Sequence, residues 1–164
     1  MKLLVKIGIL VFALVVELIL SNMLNFNTVK PDLVLIVVIC LSFISTSEEG
    51  IIAGFLGGLL KDIFSVHLLG MNALVKTVIC YLSGIIREKV FSQHLLWIVI
   101  ISVFFFTIVN NGIIFLLLNA LHTDYDFVGV LKKTTLIQAV INAILAPLIL
   151  VGIQKLFSYL KQQG

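Results

Sequence analysis

Charge is scarce in this chain. Only 12% of its 164 residues are Asp, Glu, Lys or Arg, about half the share that a soluble domain carries. That is too few to cover a water-facing surface, which excludes an ordinary soluble domain. Proline is nearly absent, with two residues, so little interrupts a long helix. The apolar runs are continuous rather than alternating, which argues against a transmembrane β-barrel. The two cysteines, Cys40 and Cys80, both lie in apolar runs and form no CxxC pair. They read as small apolar residues rather than as a disulfide framework. His67, His94 and His122 each fall near the end of a run, with His94 on the opposite side from the others, so a three-His zinc site is excluded. There is no Ser/His/Asp or Cys/His arrangement, no phosphate loop and no dinucleotide fingerprint. Neither an enzyme nor a cofactor is expected.

What is abundant is apolar residues, at 61%. They predict an all-α polytopic membrane protein, a compact bundle forming a single integral membrane domain over 1–164. Six spans are read, at roughly 3–22, 31–47, 50–66, 68–86, 95–119 and 134–157. The N-terminal "MKLLVKIGILVFALVVELILSN" resembles a signal peptide but has no small-x-small cleavage site, and is read as a retained first span. The first, fifth and sixth spans are long enough to cross a hydrocarbon core of about 30 Å. The second and third, about 25 Å each at 1.5 Å per residue, are joined by "STSEEG". They form a short hairpin, a re-entrant pair, or a place where the bilayer thins. Pro31 opens the second span and Pro147 should kink the sixth. The segment 122–133 reads as the longest loop. Trp97 and Tyr159 mark an interfacial belt.

The net charge of +3 is scattered over the ends of the runs and signals topology rather than nucleic acid. With the N-terminus inside, the cytoplasmic side holds Lys2, Lys6, Arg87, Lys89, Lys155 and Lys161, against Lys30, Lys61, Lys132 and Lys133 outside. This bias places both termini in the cytoplasm.

The third span carries "GIIAGFLGGLLKD". Gly50, Gly54 and Gly58 lie four apart and so share one helical face, with Ala53 and Gly57 on the next row. Small residues let helices approach closely in lipid, so this is a packing face, for another helix of the chain or for a partner. Ionisable groups inside spans are costly and point to function. Glu17, Lys61, Asp62 and Lys76 all fall about 6–12 Å from one interface when depth is counted at 1.5 Å per residue. Lys30 and Asp32 lie at that interface. Acids and bases balance, as ions in lipid require. The cluster is read either as ion pairs that fix the bundle or as a polar docking or ligand site in its outer half. Asn110, Asn111, Gln138 and Asn142 are read as interhelical hydrogen-bonding residues.

Three stretches, "KPDLVLIVV", "GIIAGFLGGLLKDIF" and "HLLGMNALVKTVICYLSGIIREKVF", resemble the MreD family of rod shape-determining proteins. The pattern comprises Pro31 and Asp32 opening a short span, the glycine-spaced span ending in Asp62, and Leu69, Gly70, Ala73 and Leu74 starting the next, which closes on Arg87 and Lys89. The resemblance covers roughly residues 29–91; Lys76 departs from it. It implies a non-enzymatic component of the bacterial cell-elongation machinery in the cytoplasmic (inner) membrane. It implies association with MreC, a single-span protein, and through it a link from MreB filaments to the peptidoglycan synthases, with membrane lipids as surroundings. It also implies a fold similar to the substrate-binding subunits of energy-coupling-factor vitamin transporters. Such a subunit is the alternative function, but it would dock its partner through small residues on the first span. Here that span offers only Gly8 and Ala13.

Overall fold

A computed structural model describes residues 2–23, 29–64, 69–89, 94–120 and 128–162. His67, His122 and the side chains of Lys132 and Lys133 lie outside the described residues. Six helices follow one another: α1 (Lys2–Met23), α2 (Leu33–Ile44), α3 (Ser47–Phe64), α4 (Met71–Lys89), α5 (Leu95–Ala120) and α6 (Val128–Gln162). No strand occurs among the described residues. Stretches within α1, α5 and α6 are long and apolar enough to cross a membrane.

The short second span is the centre of the molecule. Its 12 residues reach only about 18 Å. They are apolar on every side, and a helix of that kind belongs in an interior. Leu33 to Phe43 are all buried, and α2 packs against each of the other five helices. Leu10 and Leu14 of α1, Val75 and Ile79 of α4, Val103 and Phe106 of α5, and Leu150 and Ile153 of α6 join it in one core. In lipid such burial removes little surface from water, so cohesion must come from close packing and from polar ties between helices.

Three boundaries differ from the sequence reading. Pro31 precedes the helix rather than opening it, because Asp32 is the N-cap of α2. The "STSEEG" turn is mostly helix: α3 starts at Ser47, and the Glu49 N–H donates to Thr46 Oγ1 at 3.4 Å. Thr-x-x-Glu is the capping-box pattern, a start signal that hydropathy overlooks. Residues 128–133, read as loop, form the start of α6, because a span ends where apolarity ends but a helix need not. α6 remains one helix through Pro147. Trp97 and Tyr159 are both exposed, near the start of α5 and the end of α6.

The glycines of α3 serve several neighbours. A Cβ on Gly50 would strike Ser42 of α2. One on Gly54 would lie 2.7 Å from Cys80 Sγ and 2.8 Å from the Lys76 carbonyl oxygen of α4. One on Gly58 would strike the backbone at Asn72 and Ala73. Gly57 faces the other way, towards Val38 of α2 and Leu10 of α1. Ala53 is buried beside them.

Candidate functional site: a charge network at two buried helix starts

Every helix begins with backbone N–H groups that have no partner within the helix. In a bilayer water cannot reach them, so the protein must. Both α2 and α4 begin with buried residues, and each start is satisfied by acids. At α2, Asp32 Oδ1 accepts from the Leu35 N–H at 2.8 Å, while Glu17 Oε2 of α1 accepts from the Val34 N–H at 3.1 Å. The Asp32 N–H itself donates to Asn142 Oδ1 of α6 at 3.1 Å. At α4, Asp62 of α3 accepts from the Gly70 N–H at 2.9 Å, the Asn72 N–H at 3.0 Å and the Ala73 N–H at 3.0 Å. The Asn72 Nδ2 group adds a fourth bond at 2.9 Å. Negative groups at a helix start also complement its dipole. Gly70 turns the chain into α4 with φ +99°, a conformation that favours glycine.

The acids then draw in the lysines. Lys61 of α3 lies 2.6 Å from Asp32 Oδ2 and 2.9 Å from Glu17 Oε1. Lys76 of α4 lies 3.3 Å from the same Asp32 Oδ2 and donates to Asn72 Oδ1 at 3.1 Å. Lys76 is wholly buried. Two acids and two lysines thus make one quartet, Glu17–Lys61–Asp32–Lys76, with Asn72 joining it to Asp62. Opposite charges this close offset part of the large penalty of leaving water.

The network extends through amides. Asn142 Nδ2 donates to Thr107 Oγ1 of α5 at 3.1 Å. Asn111 Nδ2 donates to Gln138 Oε1 at 2.7 Å, and Gln138 Nε2 to the Lys30 carbonyl oxygen at 2.6 Å. The first two are ties between α5 and α6, and the third joins α6 to the segment before α2, whereas Asn110, read as a further interhelical residue, donates to Asn111 Oδ1 of its own helix at 3.1 Å; every helix contributes to the system around Asp32.

Glu17, Asp32, Lys61, Asp62 and Lys76 are therefore together, in two joined groups rather than one cluster of mutual ion pairs. Lys30 is exposed and contributes its backbone carbonyl. Asn72 escaped the sequence reading, although its place one turn before Lys76 on the same helical face was a usable signal. Lys6 and Glu49 escaped as well. Read as a flanking charge and a turn residue, they are bonded at 2.7 Å, with Lys6 buried. Cys40 and Cys80 are free thiols in the core.

Asp32, Asp62, Gly70 and Ala73 of this site, with Pro31 next to Asp32, belong to the motif positions that resemble the MreD family. No curated protein and no solved structure matches the chain. The family model for the rod shape-determining protein MreD matches residues 1–156, which take in α1 to α5 and most of α6. This chain belongs to the MreD family and is a rod shape-determining membrane protein.

Proposed function

We propose that this protein is a non-enzymatic scaffold of the bacterial cell-elongation complex, seated in the cytoplasmic (inner) membrane with both termini in the cytoplasm. In this reading it binds MreC, a single-span protein, and through it helps couple MreB filaments to the peptidoglycan synthases. The family match over residues 1–156 carries the reading. The chemistry of the interior supports it: the quartet's acids and lysines are bonded to groups of the chain itself, an arrangement suited to holding six helices in one shape.

The same reading makes the rim of the quartet a docking point. Lys61 and Glu17 keep 20% and 15% of their side-chain surface exposed, so a polar group of a partner can reach them between α1 and α3. Depletion in a rod-shaped host should turn cells round, and unchanged shape would refute the scaffold role. Glu17→Gln, which keeps an acceptor for the Val34 N–H, should accumulate normally yet capture less MreC. Full capture at normal protein levels would remove the docking role.

A further inference from the structure

α1 is the outlying helix. Among the described residues it packs on α2 and α3 and on no other helix. Its buried stripe is narrow: Lys6, Leu10, Ala13 and Leu14. Large apolar side chains such as Leu4, Phe12 and Ile19 occupy its exposed face. An apolar helix of this kind offers little to fix how it lies, because lipid is as apolar as its neighbours.

Two ion pairs with α3 supply what packing does not. Lys6, near the start of α1, meets Glu49, near the start of α3, at 2.7 Å. Glu17, near the end of α1, meets Lys61, near the end of α3, at 2.9 Å. The two helices therefore run parallel. The charges are about 16 Å apart along α1 and about 18 Å apart along α3, with opposite order of sign: Lys then Glu against Glu then Lys. Between them Leu10 crosses at Gly57, where an added Cβ would lie 3.1 Å from Leu10 Cδ2.

We propose that these two pairs form an orientation and register code for α1. An inverted α1 sets Lys6 against Lys61 and Glu17 against Glu49, so both contacts become repulsive. A slide of one turn breaks both pairs at once and carries Leu10 away from Gly57. Fixing register is the best-attested use of buried charge. Lys6 thus acts as an internal address for its helix rather than as a free charge at the cytoplasmic surface.

The test uses the full-length chain in bacterial membranes, with Cys40 and Cys80 replaced by alanine and Leu14→Cys as a probe on the buried stripe. A membrane-permeant maleimide should label the probe slowly. Lys6→Glu should raise the labelling rate by about tenfold or more, or lead to degradation, since it sets an acid in the buried place of Lys6 against the half-exposed Glu49. Adding Glu49→Lys restores the pair with reversed polarity and should return both slow labelling and protein level. Labelling of the Lys6→Glu variant at the original rate would overturn the proposal. So would a swapped pair as reactive or as poorly retained as the single variant.

Discussion

Asp62 shows what one side chain does here. Asp62 continues the four-residue interval of Gly50, Gly54 and Gly58, and Lys61, one residue earlier, stands off that row, although counting depth gives both the same level. Their roles differ because successive helix positions point about 100° apart. Lys61 faces Glu17 and Asp32, whereas Asp62 faces the start of α4 and accepts four hydrogen bonds there. The level of the charges was legible in the sequence, but their pairing was not, since pairing depends on how each helix is rotated. Asp62→Ala leaves the buried Asn72 and Ala73 N–H groups and the part-buried Gly70 N–H without this acceptor. Each such loss costs about 1–3 kcal/mol. The variant should lose about 3 kcal/mol or more in a denaturing-detergent titration. A midpoint close to the parent's would contradict the capping role. Lys61→Met should leave amide hydrogen-exchange protection at the start of α4 intact, with protection lost around α1 and α2 instead.

At the scale of the element, the glycine face of α3 was visible from spacing alone, but its division of labour was not. Gly50 meets α2, Gly54 and Gly58 meet α4, and Gly57 meets α2 and α1. A four-residue interval identifies a row on one helix and says nothing of how the neighbours cross it. Gly58→Ala drives a methyl group into the backbone of α4, which has no flexible side chain there to yield. It should cost about 2 kcal/mol, the scale of an overpacked core. Gly112→Ala on α5 is the matched control. Nothing lies within 4 Å of its added Cβ, so it should cost nothing and gain up to about 1 kcal/mol of helix propensity. Equal losses for the two variants would remove the packing role from α3. The starts of α2 and α3 differ from the sequence reading because capping residues, rather than hydropathy, fix where those helices begin, and the start of α6 differs because a helix can run on past the end of an apolar span.

For the whole molecule, Asp32 is where the helices meet. It caps α2, binds lysines from α3 and α4, and presents its own N–H to Asn142 of α6. Asp32→Ala removes the acid that Lys61 and Lys76 share. Breaking a buried pair this way costs about 3–5 kcal/mol, enough to bring a marginally stable protein close to unfolding. Limited proteolysis should then cut throughout the bundle rather than at one helix; cuts confined to the α1–α2 connection would show a merely local role. The burial of α2 has a further consequence, for biosynthesis. A helix of about 18 Å whose polar start is satisfied by α1 and α6 has no stable resting place in a bilayer of its own. Asn142, Leu150 and Ile153 of α6, which meet the start of α2 and close its core, leave the ribosome long after α2 does. At about 5–20 residues per second that interval is roughly 5–20 s. Through it, the Asp32 N–H at the polar start of α2 is without the Asn142 acceptor that α6 brings.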